Sequence, residues 1–203
     1  MEDVKIINPE HTYIDETVVI GHDTVIYPGT SLKGNTIIGN FCTIGPNCQL
    51  ADVKVGDHVT IDSSIIKESK IGSYSTIGPY AHIRPGSYIG EYCKMGAFVE
   101  VKNSKIGHHT SAAHLAYIGD ADVGNHVTLG CGSVTVNYDG KKKARTTIKD
   151  NAFIGCNTNL VAPVTIYEGA YTAAGSTITD DVPENALAIA RERQVNKTNW
   201  KRK

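Results

Sequence analysis

Large aliphatic residues recur along this chain at a strict spacing of six residues. The members of the three longest series are Ile20, Ile26, Leu32, Ile38, Ile44 and Leu50; Ile71, Ile77, Ile83, Ile89, Met95 and Val101; and Ile148, Ile154, Leu160 and Ile166. A period of six matches neither an amphipathic helix, whose period is about 3.6, nor a two-faced strand, whose period is about 2. It predicts a chain that turns a corner every six residues.

Three such units close one triangular coil of eighteen residues, which predicts a parallel β-helix. The aliphatic side chain then points inward and stacks on its counterpart one coil away, at about the 4.8 Å spacing of paired strands. Glycine often follows the aliphatic residue, where the corner demands a backbone that a Cβ atom would hinder. A small residue, such as Thr24, Cys48 or Cys93, usually comes four positions after the aliphatic one and is expected to fill a second inward slot. The predicted fold is all-β, a single-stranded β-helix of hexapeptide repeats.

The repeat also predicts where the coil is interrupted. Its spacing shortens by one residue at the corners Leu50 to Val55, Val101 to Ile106 and Ile118 to Val123. Residues 137–147 break the pattern with an Asp-Gly turn and a basic run, which predicts a projecting loop. We therefore divide the chain into a β-helix domain over residues 1–183 and, over residues 184–203, a short closing segment or helix with a basic tail.

The composition fits a packed core and excludes some partners. Hydrophobic residues make up 40% of the chain and charged residues 20%, with a formal net charge of −1. A charge so close to zero argues against nucleic acid or an anionic membrane as the main partner. No run of eighteen apolar residues occurs, so no membrane span is expected. The N-terminal residues 1–5 lack the features of a signal peptide, which predicts a cytoplasmic location.

The five cysteines divide into two groups. An odd number without a CxxC pair indicates reduced thiols, not a disulfide framework or a zinc ribbon. Cys42, Cys48 and Cys93 occupy small inward positions and are expected to be inert core. Cys131 and Cys156 both follow a glycine and are expected on the outer surface.

Two basic residues are predicted to stack on one face of the coil. Arg84 and Lys102 are eighteen residues apart in an unbroken series, and each directly follows an inward aliphatic residue. Their backbones should therefore lie about 5 Å apart, in neighbouring coils. Two cations held that close repel each other unless an anion neutralises them, and a phosphate is the natural candidate. The alternative is two solvated side chains that splay apart.

His114 is predicted to lie outward near these cations, with Tyr117 on a neighbouring part of the same face. An outward histidine beside an anion site is a candidate general base, although a lone surface histidine usually has no function. A rival hypothesis is zinc. The His109 and His114 pair, with His82 upstream, resembles the histidines of β-helix trimers of the γ-carbonic-anhydrase type. His82 should project from a different face, so such a site would need a second subunit.

Several motifs together resemble one known family. They are residues 83–86 (Ile-Arg-Pro-Gly), 98–102, 114–121 (His-Leu-Ala-Tyr-Ile-Gly-Asp-Ala), 136–140 (Val-Asn-Tyr-Asp-Gly), 160–164 and 184–188. They are similar to the C-terminal acetyltransferase domain of the bacterial bifunctional N-acetylglucosamine-1-phosphate uridyltransferase/glucosamine-1-phosphate N-acetyltransferase. The resemblance covers nearly the whole chain but not the uridyltransferase half, so UDP-sugar bond formation and its magnesium ion are not expected.

The resemblance implies a left-handed β-helix, a homotrimer with active sites at subunit boundaries, and acetyl-CoA as co-substrate without a metal. It implies acetylation of glucosamine 1-phosphate on the route to UDP-N-acetylglucosamine and the cell wall. His114 would deprotonate the sugar ammonium, and the amine would attack the thioester directly, without an acyl-enzyme.

The resemblance also implies roles for individual residues. Those on the sugar side would be Arg84, Lys102 and Lys143 at the phosphate, with Tyr117, Thr128 and Asn137 along the sugar. Those on the acetyl-CoA side would be Cys131, Asn137, Tyr138, Cys156, Ala174 and Arg191, with backbone N–H groups near Cys131 stabilising the oxyanion.

One departure from the family pattern leaves the acceptor open. Thr128 stands where the family has an asparagine that contacts the sugar, whereas the catalytic histidine is kept. Acetyl transfer is therefore expected, with another amino sugar or a sugar nucleotide as the alternative acceptor. A catalytically silent structural β-helix is the remaining alternative outside the enzymes. An ice-binding helix is not expected, because no face carries a regular outward Thr-x-Thr ladder.

Overall fold

The computed structural model describes residues 3–201 as a parallel β-helix of short strands. Between these residues no α-helix occurs, and the single helical turn is a 3₁₀ turn at Pro9–His11. In chain order the strands are β1 (Lys5–Ile6), β2 (Tyr13–Ile14), β3 (Val19–Ile20), β4 (Val25–Ile26), β5 (Ser31–Lys33), β6 (Ile37–Ile38), β7 (Thr43–Ile44), β8 (Gln49–Ala51), β9 (Lys54–Val55), β10 (Thr60–Ile61), β11 (Ile65–Lys67), β12 (Lys70–Ile71), β13 (Thr76–Ile77), β14 (His82–Ile83), β15 (Tyr88–Ile89), β16 (Lys94–Lys102), β17 (Lys105–Ile106), β18 (Ser111–Gly119), β19 (Ala121–Val123), β20 (Thr128–Leu129), β21 (Val134–Val136), β22 (Thr146–Ile148), β23 (Phe153–Ile154), β24 (Asn159–Val161), β25 (Val164–Ile166), β26 (Tyr171–Thr172), β27 (Thr177–Ile178) and β28 (Leu187–Ala188).

Each strand pairs in parallel with the strand one coil away, which produces three faces. The first face begins with β1, β4 and β7, the second with β2, β5 and β8, and the third with β3, β6 and β9. Strands β16 and β18 are nine residues long and continue around the corner between the first two faces. The predicted all-β hexapeptide coil is confirmed, and its left hand remains the prediction of the resemblance.

The core consists of the stacked aliphatic residues that the repeat predicts. Ile61 pairs with Ile77, and Ile77 pairs with Met95 in the next coil. All three are fully buried, and complete burial of such a side chain stabilises the fold by about 1.5–3 kcal/mol. The predicted second inward slot is also confirmed, because Thr24, Cys42, Cys48, Cys93, Thr110 and Thr158 are all buried.

We expect Ile77→Ala to lower the free energy of unfolding by about 2–5 kcal/mol, because it leaves a cavity between two coils that cannot close independently. Ile37→Ala is the matched control, since the Ile37 side chain is outward and 42% exposed. Chemical denaturation measures both changes. Similar losses in the two variants would contradict the assignment of Ile77 to the core.

The corner glycines are explained by close approach between coils as well as by backbone conformation. A Cβ atom on Gly72 would lie 2.6 Å from the carbonyl carbon of Gly90, one coil away. Neither glycine has a positive φ. Much of the left-handed backbone that the corners need is instead supplied by Asn, Asp and aromatic residues. The prediction of glycine after the aliphatic residue is therefore correct, and close packing between the coils adds a second reason for it.

An aromatic ladder follows the corner between the third and first faces. Its rings stack at centroid distances of 4.7–4.8 Å, with planes within 9° of parallel. The stacked residues are Phe41, His58, Tyr74, Tyr92, His109 and His126. This ladder was not predicted from the sequence, although spacings of 16–18 residues between aromatic or histidine positions indicate it.

The predicted projecting loop and the predicted closing segment are both present. The loop over residues 137–147 projects as a tight turn, in which Tyr138 bridges Lys143 and the Asp139 carboxylate accepts two backbone N–H groups at 2.8 Å. The closing segment contains strand β28, which pairs with β26, and Ala190 donates its N–H to Ser176. Strand pairing therefore continues past the division predicted between residues 183 and 184. Over residues 3–201 no helix is long and apolar enough to cross a membrane.

Candidate active site

A buried carboxylate, Asp120, lies at the centre of the candidate site. It is 5% exposed and sits at the corner between the second and third faces with φ at 49°. Its carboxylate accepts hydrogen bonds from the side-chain amide of Asn103 at 2.6 Å and from that of Asn137, and it lies 3.3 Å from the Lys102 ammonium. No role for Asp120 was predicted from the sequence. The signal that could have found it is the spacing of seventeen residues from Asn103 to Asp120 and again to Asn137.

These contacts decide the pKa of Asp120. Burial raises the pKa of the carboxyl, but the hydrogen bonds from Asn103, Asn137 and Lys102 outweigh burial and hold it below its ordinary value. The pKa in the folded chain is therefore lower than the unfolded value of about 3.9. The resulting stabilisation is fully present above that unfolded value and is lost as the pH falls through the folded pKa.

We expect Asp120→Asn to reduce the free energy of unfolding at pH 7 by about 1.5–3 kcal/mol, because a charged acceptor of three donors becomes a neutral amide. The difference from the unsubstituted chain should narrow as the pH is lowered below about 4. Urea denaturation at several pH values measures it, with the exposed Asp180→Asn as control. If the free energies of unfolding of Asp120→Asn and the unsubstituted chain differ by the same amount from pH 7 to pH 3, the Asp120 charge does not contribute to stability.

Arg84 and Lys102 stack one coil apart, as the repeat predicts. Strand β14 pairs with β16 so that Ile83 lies opposite Val101, and the Arg84 N–H donates to the Val101 carbonyl at 2.8 Å. Each cation also has its own carboxylate partner. The Arg84 guanidinium lies 2.8 Å from Glu100, and the Lys102 ammonium lies 3.3 Å from Asp120. These two ion pairs hold the Arg84 and Lys102 side chains on one face of the coil. The alternative, in which the two side chains splay apart into solvent, is not observed.

A third cation, Lys143, reaches the same place from the projecting loop. The neighbouring Lys102 ammonium lowers the pKa of Lys143, and Arg84 lowers it further. The loop is held by Arg145, whose guanidinium donates to both Asp122 carboxylate oxygens at 2.8 and 2.9 Å. The Ala144 N–H also donates to the Asn137 carbonyl at 3.0 Å. Three cations thus converge although the sequence separates Arg84 from Lys143 by 59 residues.

His114 lies outward at the corner between the first and second faces. Strand β18 carries it opposite Ala97, and its side chain is exposed. Tyr117 follows on the same strand and is half-buried. The Tyr117 ring lies against Gly119, where an added Cβ would come within 2.7 Å of the ring. This position places the phenol near Arg84 and Lys102. The strand therefore connects the histidine to the three cations.

A single column of side chains continues from His114 along this corner. Ala112 pairs with Leu129 and Leu129 with Ile154, so Cys131 and Cys156 occupy the next two positions after His114. Ile154 pairs with Thr172, which makes Ala174 the following member. Cys131 and Cys156 are exposed, as predicted. The Cys131 N–H has no acceptor among residues 3–201 and is free to donate to a ligand.

The other predicted site residues are distributed around this column. Tyr138 is 55% exposed in the loop, and Asn137 is buried with its side-chain amide on Asp120. Arg191 passes the end of the column, where its Cδ lies 3.7 Å from the position of a Cβ on Gly175. Thr128 is exposed on the first face beside Ser111, around the corner from the cations.

The three histidines of the zinc hypothesis lie apart. His109 is stacked between Tyr92 and His126 in the aromatic ladder, and His82 is on the second face in β14. Among residues 3–201 no group of three or more His, Cys, Asp or Glu side chains could hold a metal ion.

The repeats of this chain match a known repeat model. The model of the family "Bacterial transferase hexapeptide (six repeats)" matches residues 17–51 and 68–103. The chain also resembles a solved UDP-N-acetylglucosamine acyltransferase from Campylobacter jejuni, with a TM-score of 0.65, 20% identity, and coverage of 92% of this chain and 71% of that chain. At that identity the likeness supports the fold alone.

The particular protein that the chain resembles is the bifunctional protein GlmU. The chain is 62% identical over 200 residues to GlmU of Geobacillus sp. (strain WCH70), covering 98% of this chain and 44% of that protein. It is 60% identical over 197 residues to GlmU of Alkaliphilus oremlandii (strain OhILAs), covering 97% and 43%. The resemblance predicted from the motifs is confirmed, and the chain spans less than half the length of these relatives. Neither comparison supports the carbonic-anhydrase alternative.

Proposed function

We propose that this chain is an acetyl-CoA-dependent N-acetyltransferase that converts glucosamine 1-phosphate to N-acetylglucosamine 1-phosphate. One observation carries the proposal: strand β18 joins an exposed histidine, His114, to a cluster of three cations. A phosphorylated amine that bridges the two would present its nitrogen to the imidazole and its phosphate to the cations. The similarity to GlmU over 98% of the chain supports the same reaction.

The phosphate site has its charges arranged before the substrate arrives. Glu100 and Asp120 hold Arg84 and Lys102 in place by ion pairing, so the cations lose little side-chain entropy when the phosphate binds. The guanidinium offers a planar fork and the ammonium a point charge, and both suit a phosphate. Lys143 adds a third donor from the loop and would close over the sugar phosphate.

The chemistry is a direct acyl transfer. His114 removes a proton from the sugar ammonium, and the free amine attacks the thioester carbonyl of acetyl-CoA. The tetrahedral oxyanion accepts a hydrogen bond from the free backbone N–H of Cys131. Its collapse breaks the carbon–sulfur bond, the nitrogen loses its second proton to the departing CoA thiolate, and the amide product and the CoA thiol remain. Alignment of the two substrates supplies much of the remaining rate.

Acetyl-CoA would lie along the corner column beyond His114. Cys131, Cys156 and Ala174 form its floor, Tyr138 and Asn137 approach from the loop, and Arg191 would contact a CoA phosphate. The reaction belongs in the cytoplasm, where acetyl-CoA is available. The family resemblance supports a homotrimer with active sites at subunit boundaries. The alternative acceptors are other amino sugars or sugar nucleotides, because Thr128 replaces the family asparagine that contacts the sugar.

The test is release of the CoA thiol from acetyl-CoA with a panel of acceptors: free amino sugars, their 1-phosphates and their nucleotides. We expect glucosamine 1-phosphate to have the highest kcat/KM in the panel. Higher kcat/KM for a sugar nucleotide would assign the alternative acceptor. No thiol release with any amino sugar would refute the acetyltransferase proposal.

A further inference from the structure

Cys131 and Cys156 form a stacked pair of exposed thiols. They hold equivalent positions in neighbouring coils, each two residues after an inward aliphatic residue and directly after a glycine. The Asn157 N–H donates to the Cys131 carbonyl at 2.8 Å, and a Cβ on Gly130 would lie 2.9 Å from the Cys156 Cα. The two backbones are therefore in direct register, which places both exposed cysteines at the same corner in neighbouring coils.

The other cysteines behave differently. Cys42 and Cys93 point inward, and their thiols donate to the carbonyls of Gly56 and Gly107 at 3.1 and 3.0 Å. Burial raises the pKa of each of these two thiols, as it does for Cys48. Any reagent that reacts with thiols in the folded chain therefore meets Cys131 and Cys156 first.

The spacing of the coils determines what can join the exposed pair. In-register strands lie about 4.8 Å apart. A disulfide needs its two Cβ atoms about 3.8 Å apart, so direct oxidation would require the coils to approach by about 1 Å. Two metal–sulfur bonds of about the zinc–sulfur length, 2.3 Å, placed end to end span about 4.6 Å, which is close to the coil spacing. A single atom between the sulfurs fits this corner better than a sulfur–sulfur bond.

We propose that Cys131 and Cys156 form a two-thiolate site for a thiophilic, two-coordinate monovalent cation, of which Cu(I) and Ag(I) are examples. Binding converts two thiols and one cation into a linear bis-thiolate complex and releases two protons. No redox change is involved, and no third ligand from residues 3–201 converges on the pair. Linear coordination therefore requires the two sulfurs to move by only a few tenths of an ångström from the coil spacing of about 4.8 Å.

The site would block the proposed reaction. Cys131 is the next member after His114 in the corner column, so a cation on the pair lies one coil from the base. It occupies the floor along which acetyl-CoA is proposed to lie. This consequence rests on the proposed function, whereas the two-thiolate site itself rests only on the geometry of the two coils.

The first experiment measures binding without reference to activity. The full chain, freed of other metals and reductant, is titrated with Ag⁺, and bound Ag⁺ is counted by native mass spectrometry. Unreacted exposed thiols are counted by brief maleimide labelling. We expect one tightly bound Ag⁺ per chain to protect both Cys131 and Cys156, and the variants Cys131→Ser and Cys156→Ser to bind at least 100-fold more weakly. Cys48→Ala, which alters a buried thiol, is the control and should bind as the unsubstituted chain does.

Three results would overturn the proposal. They are protection that needs two equivalents of Ag⁺, a serine variant that binds as tightly as the unsubstituted chain, and ready formation of a Cys131–Cys156 disulfide by oxidised glutathione.

The second experiment tests the link to catalysis. Protein loaded with one Ag⁺ and desalted is assayed by mass detection of the acetylated sugar, because Ag⁺ would also react with a thiol reporter. We expect acetylation to fall at least 20-fold and to return when a competing dithiol removes the cation. If the Ag⁺-loaded protein acetylates the sugar at the normal rate, the two-thiolate site still stands, but the proposed position of acetyl-CoA is refuted. Acetylation that is absent even before loading would refute the proposed function alone.

Discussion

Replacing His114 with alanine lowers kcat for sugar acetylation by about 10²–10⁴-fold, the usual range for loss of a positioned general base. Without the imidazole the sugar amine remains an ammonium ion, which has no lone pair to attack the thioester. Because the His114 side chain is exposed and has no hydrogen-bond partner among residues 3–201, its removal leaves the fold intact. Steady-state kinetics with both substrates saturating measures the effect.

The control for this result is His11→Ala, which removes an exposed histidine in the 3₁₀ turn near the N-terminus. It should keep full activity. A His114→Ala protein that retains an unchanged circular dichroism spectrum and turns over within a few fold of the unsubstituted chain would refute the base assignment. A loss in both variants would point to a histidine effect on the fold instead.

Replacing Arg84 with alanine raises KM for the phosphorylated sugar by about 10- to 100-fold, since a hydrogen bond to a charged group contributes about 1.5–3 kcal/mol. KM for acetyl-CoA should change little, because the corner column is separate from the cation cluster. Arg84 and its partner Glu100 are both partly exposed, with side chains 41% and 36% accessible, so the substitution should not unfold the chain.

Two comparisons sharpen this second result. Lys33→Ala removes a cation three coils away from Arg84 on the same face and should leave KM unchanged. Glucosamine without its phosphate should be acetylated poorly by both the unsubstituted chain and Arg84→Ala, with no difference between them. An equal rise of KM for acetyl-CoA and for the phosphorylated sugar would contradict the phosphate role of Arg84.

The aromatic ladder shows that side chains at equivalent positions of successive coils stack into a continuous column. The six residues of the ladder lie at one corner, and all of them adopt left-handed backbone at φ of 55–60°. Each ring stacks on the ring one coil away at nearly the strand spacing, so each contact repeats the geometry of the last. The same in-register stacking aligns Arg84 with Lys102, and His114 with Cys131, in neighbouring coils. In such a fold a side-chain column is a structural unit, and changing one member alters the contacts of its two neighbours.

The sequence by itself determined the parts of this protein that depend on an unbroken repeat. The six-residue period predicted the coil, the buried stack such as Ile61 on Ile77, the inward cysteines and the register of Arg84 with Lys102. These follow from the sequence because a constant period fixes which residues meet one coil later. The motif around His114 then indicated the family.

Only the tertiary structure decided the contacts that cross an interruption in the repeat. The role of Asp120 as acceptor for Asn103, Asn137 and Lys102 depends on corners of shortened spacing. The arrival of Lys143 at the cations depends on how the loop folds back, and the Arg145 pair with Asp122 fixes that path. A period cannot specify such contacts, because each insertion or deletion shifts the phase and the side chains that meet are then selected by packing and charge in three dimensions.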